Sequence, residues 1–185
     1  MTREPFVDYS GAAPILLPSS IRHCWQGFYL PADPDDDLPD LELPEGGYRI
    51  CDDFDFENPK TDYDRACALG SKPAVQRISV GPGEALVFAT ELDPLTWWAE
   101  RCMIVNGACL PDPALLEKVE WQDALVWTTG EPDLVLMNAC YHGGDPELED
   151  FFAIEIPAGE YRVQSGRYGW ADDDPSLLLF RFVPA

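Results

Sequence analysis

Residues 78–87 read ISVGPGEALV, and a near copy, IEIPAGEYRV, occupies residues 154–163. The offset is 76 throughout (154 − 78 = 76): Ile78 and Val80 match Ile154 and Ile156, Gly83 and Glu84 match Gly159 and Glu160, and Val87 matches Val163. Apolar and polar residues alternate on either side of a centre that carries Pro and Gly. Period-two alternation is what a half-buried strand requires, and Pro and Gly supply the fixed and positive φ values of a tight reversal. The pair therefore predicts one β-hairpin made twice. Turns of the form P-x-G-E also recur by chance in β-rich chains, but flanking segments match as well: Ile15 to Leu17 resembles Leu134 to Leu136, and Cys24, Trp25 and Gly27 resemble Cys140, Tyr141 and Gly143. These matches favour an internal duplication.

Working outward, the remaining segments are also mostly strand. Residues 13–17 (APILL) form a short apolar run closed by Pro18, residues 95–105 (LTWWAERCMIV) read as one strand ended by Asn106-Gly107, and residues 177–183 close the chain. Residues 124–128 and 134–137 flank Gly130-Glu131-Pro132 as a further expected hairpin. Two helices interrupt the strands. Thr61 with Asp64 three residues on forms a capping box, with Asp in place of Glu or Gln, and opens a helix that should end near Gly70. Asp112 as N-cap and Pro113 at the first helical position open the second. The expected fold is mainly β with two short helices, in which two similar antiparallel β units pack as a sandwich. One domain, 1–185, is expected, with pseudo-repeat halves at about 10–110 and 120–185 and an acidic insertion at 31–60.

Composition narrows the function. The chain has 185 residues, 46% of them hydrophobic, with six Trp, which is enough for a substantial core. No signal-peptide run or membrane-length apolar segment is visible, so a soluble cytoplasmic protein is expected, with Cys24, Cys51, Cys67, Cys102, Cys109 and Cys140 as reduced thiols. Twelve basic against 34 acidic residues give 12 − 34 = −22. Such a field repels nucleic acid and anionic membrane and speeds encounter with a basic partner; solubility or adaptation to high salt would also account for it. Eleven of the acids lie in residues 31–57, among Pro and Gly and beside a single Arg49, which argues for an exposed, irregular insertion.

Motifs for chemistry are scarce. There is no G-x-S-x-G elbow, Walker loop, dinucleotide-binding G-x-G-x-x-G or H-E-x-x-H, and Gly81-Pro82-Gly83 lacks a nearby Lys for phosphate. His23 and Cys24, with Cys140 and His142, invite a zinc site or a Cys–His nucleophile. Neighbouring side chains on a strand point to opposite faces, however, no C-x-x-C is present, and nothing marks an oxyanion hole. The acids lack the central Gly and terminal Glu of an EF-hand loop. No catalytic set, metal or cofactor is therefore expected. Trp97 and Trp98 are neighbours on an expected strand, so one should face outward, as a sugar or partner contact or as a covered edge residue.

The order APILLPSSIRHCWQG, DYDRACAL, VGPGEALVF, a Trp-bearing strand, a helix and IPAGEYRVQSGRY with SLLLFRFV resembles the Immunity protein 21 family of bacterial polymorphic toxin systems, from about Ser10 to Val183. The resemblance implies a cytosolic antidote that binds and blocks a cognate toxin. The 31–57 insertion is longer than the family leads one to expect. On this reading the partner is a basic toxin, with a nuclease as one instance. Asp33, Asp35, Asp36, Asp37, Asp52, Asp53 and Asp55 steer the encounter, and outward aromatics among Trp25, Trp97 and Trp98 anchor it. The rival expectations are a carbohydrate-binding β module and a hydrolase using Cys24 or Cys140 with a His.

Overall fold

A computed structural model describes residues 6–8, 13–31, 41–43, 46–51, 53–70, 74–89, 95–99, 101–105, 113–145, 151–168 and 177–185. In chain order the elements are β1 (Phe6–Asp8), β2 (Pro14–Pro18), a 3₁₀ turn (Ser19–Cys24), β3 (Tyr29–Pro31), β4 (Leu41–Leu43), β5 (Gly46–Ile50), α1 (Asp62–Gly70), β6 (Val75–Val80), β7 (Gly83–Phe88), β8 (Leu95–Ala99) and β9 (Cys102–Val105). There follow α2 (Pro113–Leu116), β10 (Gln122–Thr129), β11 (Asp133–Asn138), β12 (Phe151–Glu155), β13 (Gly159–Tyr168) and β14 (Leu177–Pro184). Two antiparallel sheets pack together, one in the order β1-β8-β9-β14-β13-β10 and the other β12-β11-β2-β7-β6. The mainly-β sandwich with two short helices is as the sequence leads one to expect.

Between the sheets lies a core built from both, including Leu16, Leu86, Phe88, Leu134, Leu136 and Ile154 from one and Met103, Trp127, Tyr161, Val163, Phe180 and Phe182 from the other. Fully burying such side chains stabilises by roughly 1.5–3 kcal/mol each. The five-stranded sheet is buried on its far face too. There Ile15, Leu17, Val87, Val135 and Met137 meet Ile21 and Trp25 from the region of the 3₁₀ turn and Ala66 of α1. Burial on both faces explains why PILL and LVLM are continuous apolar runs instead of alternating ones. On the outer face of the six-stranded sheet, Cys102, Ile104, Leu177 and Leu179 are covered by Leu116, Val119 and Trp121. Burial there pushes the Cys102 thiol up to about 12.

The duplicated hairpin is only half realised. Residues 78–87 do form one: Ile78 pairs with Ala85 and Val80 with Gly83, and Gly81 takes φ 52° in the two-residue loop. In the second copy, β12 pairs with β11 in the five-stranded sheet, whereas β13 pairs with β10 and β14 in the six-stranded sheet. IEIPAGEYRV is therefore a corner between sheets. The physical reason lies in the loop itself, where the residue matching Gly81 is Pro157. Its ring locks φ near −65° and excludes the positive value that the tight reversal uses.

The expected hairpin around Gly130 is a second corner, since β10 and β11 also lie in different sheets. The two corners run side by side: Ile156 N–H donates to Pro132 O at 3.0 Å, and Thr129 pairs with Gly159. β10–β11 against β12–β13 is thus one long two-stranded ribbon folded across the sandwich. Each sheet consequently takes strands from both halves of the chain, so the layers are not two face-packed repeat units.

Two smaller expectations also change. Residues 95–105 make a hairpin, β8 against β9, that reverses next to Arg101 at φ 65°. The 31–60 region carries a small three-stranded sheet, β3-β5-β4, where an irregular insertion was expected. The first helix is as read: Asp64 N–H donates to Thr61 Oγ1 at 3.0 Å and Thr61 N–H to Asp64 Oδ2 at 3.0 Å, a reciprocal cap. The second spans four residues, with Pro113 first; its expected cap Asp112 lies outside the described residues.

Candidate functional site

Among the described residues, exposed large apolar side chains gather just after β5, where the sequence reads D-F-D-F-E over residues 53–57. Phe54 is 46% exposed, Phe56 50% and Ile50 46%. A local turn presents them. Asp55 Oδ1 accepts from Glu57 N–H at 3.0 Å and Asn58 N–H at 2.9 Å, and these backbone donors, Asn58 first, hold its carboxyl below the ordinary value. Asp53 pairs with Lys60 at 2.5 Å, an ion pair open to water.

Behind the turn, Tyr63 at the start of α1 backs both rings, with centroids 5.0 Å from Phe54 and 6.4 Å from Phe56. Tyr63 also meets Phe28 edge-on at 6.3 Å; Phe28 stacks on Tyr29 at 4.6 Å, and Tyr29 meets His142 at 5.9 Å. A run of rings thus leads from the buried His142 to the exposed phenylalanines, with edge-to-face and stacked geometries that aromatic quadrupoles favour.

The inner end of this run is tightly bonded. Gly144 N–H donates to His142 Nδ1 at 3.0 Å, so the ring is the tautomer whose Nε2–H donates to Gln26 Oε1 at 3.1 Å. Burial lowers the His142 pKa and keeps that neutral form. Gln26 N–H donates to Asp62 Oδ2 at 2.9 Å, and Arg65 pairs with Asp62 Oδ1 at 2.7 Å. Gly27 is at φ 61°, and a Cβ there would come 2.3 Å from Cys140 O, so glycine alone permits this close crossing. Tyr63 N–H donates to Gly27 O at 2.9 Å, tying α1 to it.

Of the expected contact residues, the structure places Asp53 and Asp55 on this turn, while Asp33, Asp35, Asp36, Asp37 and Asp52 lie outside the described residues. Trp25 is corrected: it is fully buried, its indole N–H donating to Ala139 O at 3.0 Å, so it is a core residue and not an outward anchor. It follows a 3₁₀ turn that packs onto the far face of the five-stranded sheet, and an isolated Trp in sequence does not reveal which way it points. Trp98 is half-buried against Phe182 at 5.4 Å, on the inter-sheet core. Trp97 pairs through its backbone with Phe6 and Ile104, and its side chain lies outside the described residues. Charge in the sequence marks the acids and not Phe54 and Phe56, whose alternation with Asp53, Asp55 and Glu57 is the signal that could have found them.

His23 Nε2 and Cys24 Sγ are 3.4 Å apart, because they lie on a 3₁₀ turn and not on the strand that would have separated them. Among the described residues, no group of three or more His, Cys, Asp or Glu side chains could hold a metal ion. A cleft of about 430 Å³ opens beside Glu120, Gln122, Ser165 and Arg167, and none of its described lining residues offers an aromatic face for a sugar.

Residues 5–173 match the family described as Immunity protein 21. The chain belongs to that family. Membership marks this Immunity protein 21 member as a protein whose family role is protection against a toxin. No curated protein and no solved structure matches the chain. Among the described residues, no helix is long and apolar enough to cross a membrane.

Proposed function

We propose that this Immunity protein 21 member neutralises a cognate bacterial toxin in the cytoplasm by stoichiometric binding, without transforming a substrate, and that the toxin is basic. The observation that carries the reading is the exposed pair Phe54 and Phe56 set among Asp53, Asp55 and Glu57, on a chain of net charge −22. Aromatic anchors dominate contact energy, whereas a surrounding charge field mainly sets the association rate and rejects partners of like sign. A nuclease suits such a field well, because a surface built to grip phosphate is itself cationic.

Co-expression with a toxin candidate encoded by the adjacent gene is the direct test. Restored growth together with a 1:1 complex on co-purification is expected. Rescue without a complex would contradict stoichiometric binding, and a complex with an acidic toxin would remove the electrostatic part.

A further inference from the structure

We propose that Phe54 and Phe56 are the anchors of the toxin contact and that the surface they receive is cationic, with an arginine or apolar side chain seated on the rings. This rests on the immunity reading and adds the place of contact and the chemistry of the partner.

Three of the four large hydrophobic side chains exposed among the described residues, Ile50, Phe54 and Phe56, fall within one short stretch; the fourth, Val126, is on β10. Single exposed apolar residues are ordinary, but a contiguous group marks an interaction surface. Contiguity here comes from the ring contacts: Tyr63 touches both phenylalanines and Phe28, Phe28 stacks on Tyr29, and Tyr29 lies opposite Ile50 across β3 and β5.

The surface is also preformed. The Asp55 turn sets the backbone, and Tyr63 supports the rings from a capped helix. A partner therefore meets rings already in place, and little ordering cost opposes binding.

Charge selects the occupant. Asp55 and Glu57 interleave with the rings beside the Asp53–Lys60 ion pair, and a second copy of this chain would bring the same acids face to face. Nucleic acid and anionic lipid carry the wrong sign. A cationic protein surface pairs with the acids, and a guanidinium stacks favourably on a phenyl face.

The test is calorimetric titration of the toxin domain that co-expression identifies, in an inactivated form, into wild type, F54A/F56A, E57K and V126A. Wild type is expected to bind and F54A/F56A to bind about 100-fold more weakly, because truncating two anchors removes most of a hot spot. E57K should weaken binding about tenfold by placing a like charge against the partner, and it keeps both phenylalanines should the double alanine variant fold poorly. V126A should stay within about twofold of wild type, being on a different surface. If wild type binds and protects while F54A/F56A and E57K bind as it does, this surface is wrong and the immunity reading stands. If wild type neither binds nor protects, the immunity reading falls and takes this surface with it. A dimer in sedimentation that F54A/F56A converts to monomer would assign the patch to a second copy and overturn the proposal.

Discussion

ISVGPGEALV and IEIPAGEYRV share five identical or closely similar positions at one offset, yet the first is a hairpin within a sheet and the second carries the chain from one sheet to the other. Two positions account for the divergence. Gly81, at φ 52°, corresponds to Pro157, which cannot adopt that conformation. Ala85, which packs with the cluster on the far face of the five-stranded sheet, corresponds to Tyr161, which fills the space between the sheets and donates its hydroxyl to Pro157 O at 2.7 Å. Alternation specifies a strand, but the loop's φ values and the size of the first inward residue decide which neighbour the strand finds.

Moving residues of one copy into the other tests this. Tyr161→Ala, which gives the corner the hairpin's residue, should have the largest effect, about 3–5 kcal/mol of stability, through the cavity left between sheets. Urea titration measures it, and a loss under about 1 kcal/mol would show that the corner does not depend on its ring. Gly81→Pro, the reverse transfer, should cost about 2–3 kcal/mol, since proline cannot take φ 52° and a Cβ at 81 would lie 2.7 Å from Cys24 Sγ. A wild-type urea midpoint for that variant would mean the loop residue does not separate hairpin from corner.

How much could be read beforehand follows the same division between local and distant causes. α1 was legible because Thr61 and Asp64 satisfy each other's backbone groups within one turn. β2, β11 and β14 were legible as apolar runs, whereas β7, which reads as an alternating arm, is buried at four consecutive positions, Ala85 to Phe88, because its sheet is covered on both faces. Sheet membership was not, because a strand's own pattern says nothing of its partner; the corners at 129–133 and 156–159 therefore passed for hairpins. The site was read in part. Acid density in the sequence points to residues 52–57, but charge does not mark Phe54 and Phe56, and nothing local to Trp25 shows that its indole is fully buried. Aromatic residues announce large contact area, and only the packing tells whether that contact is with the protein's own core or with something else.

On the proposed function, the β scaffold offers its acidic and aromatic turn to a cationic toxin. Hydrogen–deuterium exchange of the protein with and without the toxin domain tests it most directly. New protection is expected over residues 50–63, with little change in the backbone of β10. Unchanged exchange over 50–63 in a saturated complex, with protection elsewhere, would contradict it.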